Sequence, residues 1–357
     1  MLLIVIGDRW RIAITIWLSV NKSYCNTIWL LSNKTTLREE IVVKFKKLAV
    51  STAALGVALG LSFAAQAEMM IGFSQIGSES GWRTSETASI KAEAEKRGID
   101  LKFSDAQQKQ ENQIKAVRSF IAQGVDGILL APVVETGWDQ VLKEAKDAGI
   151  PVVLVDRGVD ASEDLYLTKV ASDFVVEGAL AAAWLAAETN AVCDVVELQG
   201  TVGSSAANDR KAGFESVVSN FPGINIIRSQ SGDFTRSGGK EVMESFLKAE
   251  NGGKDICAVY AHNDDMALGA VQAIKEAGLK PGTDILIVSI DAVPDIFKAM
   301  ADGDTNATIE LNPHLGGPSF DAIKAAKAGQ EVPKWIKANG PLFLPDTAAE
   351  EYKMRSK

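Results

Sequence analysis

The chain is 357 residues long, 46% hydrophobic and 23% charged, the composition of a folded globular protein and not of a disordered or fibrous one. Its 46 acidic and 37 basic side chains leave a net charge of −9, which argues against a broad cationic surface for nucleic acid. Two histidines and three cysteines leave little material for a His/Cys metal cage or a His-based catalytic centre.

Residues 1–42 mix apolar patches, Ile12 to Val20 and Thr27 to Leu31, with scattered Asn, Lys and Ser, and show no sustained period. They read as an extension ahead of a mis-set translation start, with Val43 as the alternative initiator; the other reading is a membrane-embedded leader. Residues 43–67 have the parts of a secretory signal peptide: Lys44, Lys46 and Lys47, an apolar core from Leu48 to Ala64, and the small-x-small site Ala65-Gln66-Ala67. Glu68 is then the mature N-terminus and the compartment is periplasmic. The short apolar run ends in a cleavage site instead of a charged flank, which disfavours a transmembrane anchor. Export to an oxidising compartment leaves Cys193 and Cys257, each at the start of a predicted strand. Neighbouring parallel strands would bring them within bridging range, so a disulfide is expected, the alternative being two inert buried thiols.

From MIGFSQ (70–75) onward, short β-rich runs alternate with amphipathic helical stretches. A helix over Gly81 to Arg97 ends at Gly98. Strand IDLKFSD, helix QENQIKAVRSFIAQ, strand DGILLAP, helix WDQVLKEAKDAG and strand IPVVLVD follow. Strands that are apolar throughout, each followed by a helix, predict a parallel sheet covered on both faces. After DLYLTKVASDF the pattern restarts: helix Val175 to Glu188, VVELQ, helix Ala206 to Ser219, INIIRSQ, helix Gly238 to Ala249, ICAVYAH, helix Ala267 to Ala277, DILIVSID and PDIFKAMADG. NATIELNP and a helix from Gly317 to Lys327 have no sheet of their own. Crossings near Ala171 to Phe174, Ile309 to Asn312 and Pro341 would let the later elements complete the first lobe. The expected fold class is α/β, two doubly wound parallel-sheet lobes joined by a multi-strand hinge. The expected lobes are 68–172 with 311–340 and 173–310 with 341–357.

Open parallel sheets bind ligands beyond the carboxyl ends of their strands, so two facing sheets make a cleft walled by strand-end loops. Those loops hold Gln75 to Arg83, Asp156 with Arg157, Gln199 to Arg210, Asn263 with Asp264, and Asp291. For Asp264 and Asp105, helix capping is the better reading. Capping explains an acid but not an arginine at a helix's positive end, which favours ligand contact for Asp156, Arg157 and Arg210. A neutral sugar needs carboxylate acceptors, guanidinium and amide donors, and an aromatic plane. Trp82, Phe234, Asp156, Arg157, Arg210, Asn263 and Asp291 supply that set.

The runs GFSQIGSESGW, PVVLVDRG, VASDF, VELQGTVGSSAANDRKAGF, SGDFTR, AHNDDMALGAVQAIKEAG and VSIDAVPD resemble the periplasmic sugar-binding proteins of ribose- and galactose-type ABC importers. The likeness covers nearly everything after Glu68. Within that family GSESGWR, QQKQENQIKAVRSF, RSQSGDFTR and KEVMESF are similar to the galactofuranose-binding members. The resemblance implies a hinged, monomeric receptor that closes on one monosaccharide, galactofuranose, and delivers it to an ABC permease, with no cofactor, no metal and no nucleic-acid partner. It places Trp82 and Arg83 where ribose receptors hold two stacking aromatics, and matches Asp156, Arg157, Arg210, Phe234, Asn263 and Asp291 to ligand positions, with Glu79 as an added acceptor. Arg83 replaces an apolar plate with a donor fork and argues against ribose. Phe174 and Leu311 also depart from the pattern, leaving open whether Glu310 or Asn312 reaches the ligand.

Weaker signals have blander readings. Asp302 to Glu310 superficially resembles a calcium loop but carries Ala307 at the turn-glycine position. His262 has no activatable Ser or Cys motif beside it and reads as structural, and His314 as a surface residue. Neither a phosphate loop nor a hydrolase elbow occurs. An effector domain of a transcription regulator would need a helix-turn-helix where the leader stands. A sugar-modifying enzyme would use Asp156 and Asp291 as paired carboxylates, and a chemosensory role is compatible with the receptor reading.

Overall fold

The computed structural model describes residues 2–7, 11–16 and 69–356, and divides the chain after Ala65 into two units. The expected signal peptide, 43–67, its cleavage site and most of 1–42 lie outside the described residues. In the first unit β1 (Leu2–Gly7) and β2 (Arg11–Ile16) pair antiparallel.

The second unit starts with β3 (Met70–Gln75), α1 (Gly81–Arg97), β4 (Asp100–Asp105), α2 (Gln110–Gln123), β5 (Gly127–Leu130), α3 (Asp139–Asp147), β6 (Val152–Val155) and β7 (Thr168–Ala171). It continues with α4 (Phe174–Glu188), β8 (Val192–Gln199), α5 (Ser205–Val218), β9 (Gly223–Ser231), α6 (Arg236–Ala249), β10 (Ala258–Ala261), α7 (Asp264–Glu276), β11 (Leu286–Asp291), α8 (Pro294–Ala301) and β12 (Ala307–Leu311). Last come α9 (Gly316–Lys327), β13 (Trp335–Lys337), β14 (Asn339–Phe343) and α10 (Pro345–Arg355). Two six-stranded sheets result, in the orders β13-β7-β6-β5-β3-β4 and β14-β12-β11-β10-β8-β9. All pairings in both are parallel except β12 with β14. The inner strands GILL, VVLV and AVYA are buried at every position, because helices cover both faces and no polar residue could alternate in.

The chain passes between the lobes three times. Strand β12 stays in the second sheet, and only the helix that follows it, α9, returns to the first lobe, where Ile323 lies against Gly127 and Arg97 pairs with Asp321 at 2.5 Å. The third passage falls between β13 and β14, at Ala338, ahead of the expected Pro341, because β13 pairs with β7 and β14 with β12. Arg355 on α10 anchors the C-terminus to the second lobe through Glu310 at 2.7 Å. The first and third passages are tied to each other: Asn339 Oδ1 accepts from the Asp173 amide at 2.8 Å, and Trp335 Nε1 donates to the Ala171 carbonyl at 2.9 Å.

Cys193 and Cys257 form a disulfide with Cα atoms 5.4 Å apart, as the adjacency of β8 and β10 permits. Among the described residues no helix is long and apolar enough to cross a membrane.

Candidate functional site

The first lobe contributes the start of α1. Ser80 caps that helix by accepting from the Arg83 amide at 3.1 Å, and its first turn points Trp82 and Arg83 into the cleft. Trp82 Nε1 crosses to the second lobe and donates to the Leu311 carbonyl at 2.5 Å. Arg83 spends its whole fork on carboxylates: Nε on Glu79 at 3.1 Å, Nη1 on Glu86 at 2.5 Å and Nη2 on Asp156 at 2.7 Å. Burial works against its charge, but Glu86, Asp156 and Glu79 together outweigh it and hold the guanidinium protonated well above its ordinary range. Burial pushes Glu86 up to about 7 against the pull of Arg83. Arg157 donates to the Val133 carbonyl at 3.1 Å, and burial, with Arg83 nearby, lowers it to about 10, so it remains a cation at neutral pH.

Arg210 on α5 is the second lobe's counterpart. Helices α4 and α5 cross so closely that a Cβ on Gly178 would fall 2.0 Å from the Arg210 carbonyl oxygen, and one on Gly213 2.1 Å from that of Val175. This contact sets Glu177, beside Gly178, against Arg210 Nε at 2.9 Å. Arg210 Nη1 donates to the His262 carbonyl at 2.7 Å and Nη2 lies 3.7 Å from Asp291. The guanidinium stands 5.0 Å from the Phe174 ring. Burial raises both Glu177 and, more strongly, Asp291 above the usual carboxylate range. Phe234, in the turn before α6, faces Arg157 at 5.0 Å. Its ring occupies the space a side chain at position 200 would take: a Cβ on Gly200 would lie 1.9 Å from it. Three residues of this constellation have left-handed or otherwise positive φ, Asp156 at 65°, Phe234 at 60° and Asp291 at 128°, the kind of local strain that collects at working sites.

Glu79, Trp82, Arg83, Asp156, Arg157, Arg210, Phe234, Asn263 and Asp291 all line one cavity, with Ser80, Ala206 and Leu311. Sequence reasoning missed five contributors. Glu86 and Glu177 stand behind the arginines; both carried a signal, Glu86 by its i+3 spacing from Arg83 and Glu177 as a lone acid in the apolar run FVVEGALAAAW. Leu311 acts through its carbonyl and Ala206 and Ser80 by position, which no side-chain pattern announces. Glu310 pairs with Arg355 and the exposed Asn312 accepts from the His314 amide; neither lines the cavity.

Two capping expectations are corrected. The cap of α7 is Asn263, whose Oδ1 accepts from the Met266 amide at 3.0 Å while Nδ2 donates to the Phe234 carbonyl at 3.1 Å. Asp264 turns inward instead and accepts from Ser289 at 2.5 Å, Thr308 at 2.9 Å and the Val293 amide at 2.8 Å. Asp105 accepts from the Gln107 amide in a local turn, and the N-cap of α2 is Lys109, which makes no side-chain capping bond. His262 is buried, accepts from the Gly200 amide at Nδ1 and bonds Glu197 through Nε2 at 3.0 Å, while His314 is exposed beside Ser89. Among the described residues no cluster of His, Cys, Asp and Glu has a metal-holding arrangement.

Within the closed cavity Glu79 Oε2, Asp156 Oδ1, Arg157 Nε and Arg210 Nη2 find no hydrogen-bond partner among the described residues. Two acceptors and two donors converging on one small space are a set that hydroxyl groups satisfy, since each hydroxyl both donates and accepts.

Residues 71–331 match the periplasmic binding protein domain family. The chain is 64% identical over 293 residues to the galactofuranose-binding protein YtfQ of Escherichia coli K12, covering 81% of this chain and 92% of that protein. The crystal structure of a galactofuranose binding protein superposes with a TM-score of 0.79 at 63% identity, covering 81% of this chain and 98% of that one. So does the periplasmic binding protein component of the arabinose ABC transporter from Shewanella sp. ANA-3, bound to α- and β-L-arabinofuranose, with a TM-score of 0.79 at 65% identity, covering 80% and 95%.

Proposed function

The chain belongs to the periplasmic binding protein domain family, and we propose that it is the exported sugar receptor of an ABC importer, closing on one furanose, galactofuranose first, and handing it to a membrane permease. In this reading residues 43–67 are removed on export and the mature protein is a periplasmic monomer. Its lobes are 68–172 with 311–340 and 173–310 with 341–357, the second boundary moved past Leu311, the end of β12, and the last drawn back to Ala338. The nine cavity residues named above are the ligand contacts.

The observation that carries the proposal is the set of four partnerless polar atoms on Glu79, Asp156, Arg157 and Arg210 inside a cavity that also holds Trp82 and Phe234. Charge argues for a neutral ligand. Arg83 already faces Glu79, Glu86 and Asp156, Arg210 faces Glu177 and Asp291, and Arg157 lies 3.8 Å from Asp156. Each buried guanidinium therefore has a carboxylate beside it, and a sugar acid would have to compete with those acids for its counter-charge. The relatives' furanose ligands supply the ring form.

The test is calorimetric titration with D-galactose and L-arabinose, injected faster than their ring forms interconvert. A furanose-selective receptor draws only on the minor five-membered fraction, so equivalence falls at a total sugar to protein ratio well above one, and the sugar is recovered unchanged. No heat with either sugar, or a chemically altered sugar afterwards, overturns the reading.

A further inference from the structure

Outside the cavity, hydrogen bonds join the two lobes directly at both rims of the cleft. At one rim the Gly81 amide, on the first residue of α1 in the first lobe, donates to Asp265 Oδ2 on α7 in the second lobe at 2.7 Å. At the other, the Glu135 amide donates to the Gly203 carbonyl at 2.9 Å, Asn208 Nδ2 to Glu135 Oε2 at 2.5 Å, and the Gly158 amide to Ser205 Oγ at 2.9 Å. Asp265 is 6% exposed and does not line the cavity. Arg236, from its own lobe, holds it in place through Oδ1 at 3.0 Å.

We infer that Asp265 is a closure latch: it sets how tightly the receptor holds any sugar and maintains a closed population without one, and it plays no part in choosing the sugar. The chemistry favours this bond over the others. A helix's first amides have no partner within the helix, and Ser80 satisfies only that of Arg83. A buried carboxylate at that positive end makes a charge-assisted bond. Separating the lobes breaks it, so its free energy counts toward closing alone. By linkage it strengthens every ligand that needs the closed form by the same factor.

This inference rests on the sugar-receptor reading for its affinity arm and is independent of it in a second arm. Asp265→Ala removes the acceptor. Gly81→Pro removes the donor while leaving the second lobe intact, and proline is tolerated at a helix's first position, where the preceding Ser80 is already extended at φ −138°, ψ 161°. Each variant is expected to bind D-galactose and L-arabinose about tenfold more weakly, by the same factor for both, through faster dissociation. The double variant is expected to be no weaker than either single one, and Asp265→Asn, which keeps an oxygen acceptor but not the charge, to recover part of the loss. Wild-type affinity in both single variants, or unequal factors for the two sugars, overturns the proposal. The second arm needs no sugar. Spin labels on Thr136→Cys and Val202→Cys, which flank the Glu135–Gly203 bond, report the width of the cleft mouth, and Asp265→Ala is expected to shift the distances longer. Identical distributions with and without Asp265 overturn the latch. Failure of the wild type to bind either sugar sinks the receptor reading and leaves this arm decisive.

Discussion

Removing a guanidinium from a closed cavity costs more than the hydrogen bonds it made, because the carboxylates it faced stay buried without a counter-charge. Arg210→Ala strands Glu177 and leaves the His262 carbonyl without its donor. Arg157→Ala leaves the Val133 carbonyl unpaired but Asp156 still paired with Arg83, so its cost reads more directly on the ligand. Both are expected to weaken sugar binding by about 2 kcal/mol or more, roughly thirtyfold, in calorimetric titration. A variant that binds like the wild type removes that residue from the site. The arginines were legible in the sequence because helix capping accounts for an acid at a helix start and has no use for a cation there. The same argument misassigned the Asn263-Asp264 pair: two adjacent residues can both cap, and which one does depends on where the first helical turn begins, a one-residue shift that composition does not reveal. Trp82 was legible as an aromatic at a helix mouth. Its bond to Leu311 was not, since a backbone carbonyl carries no residue signature.

At the scale of elements, strands β8 and β10 are joined twice, by the disulfide at their starts and by Glu197 and His262 towards their ends. Burial alone would raise Glu197, but hydrogen bonds from His262, Ser229 and Lys211 outweigh it and hold the carboxyl at about 2, against 4.5 for an ordinary glutamate. A carboxyl depressed on folding stabilises the fold fully above its unfolded pKa and loses that contribution as pH falls from 4.5 towards 2. Burial also lowers His262, so the folded protein resists the proton that the unfolded chain accepts, and stability falls further as pH drops below about 6.5. Glu197→Gln is therefore expected to be less stable than wild type at pH 7 by about 3 kcal/mol, with the gap closing as pH falls through the same window. Chemical denaturation at a series of pH values measures it, and a gap independent of pH removes the Glu197 charge from the account. The strands themselves were readable as unbroken apolar runs, and the cysteine pair as neighbours in a parallel sheet. The Glu197 and His262 bond was not, because the two residues lie 65 positions apart and meet only through strand order.

The two-lobed plan was visible in the sequence as an α/β pattern that stops after VASDF and starts again, and in the leftover strand and helix after Asp302. What the sequence left blurred was where the last strands go. Strands β13 and β14 lie one residue apart yet join different sheets, and a strand's partner is fixed by the far side of the fold and not by its own residues. The first and third passages are bonded to each other through Asn339 and Trp335, and the second meets the third where Leu311 pairs with Asn339, so neither lobe can turn without carrying all three. Motion confined in this way is a rotation of two bodies about one axis, with each sheet and its helices unchanged. Sugar binding is therefore expected to lower the radius of gyration in small-angle X-ray scattering, with both profiles reproduced by rotating the intact lobes about residues 172–173, 312–315 and 338. The ligand drives that shift only by what it adds across the cleft, since a group bound equally well by open and closed forms would move nothing. Arg83, Asp156 and Arg157 stand on one side and Arg210, Phe234 and Asp291 on the other, so a sugar held by both sets favours the closed form by the whole of the second set's contribution. Scattering profiles that coincide with and without saturating sugar would mean that the cleft does not close on its ligand.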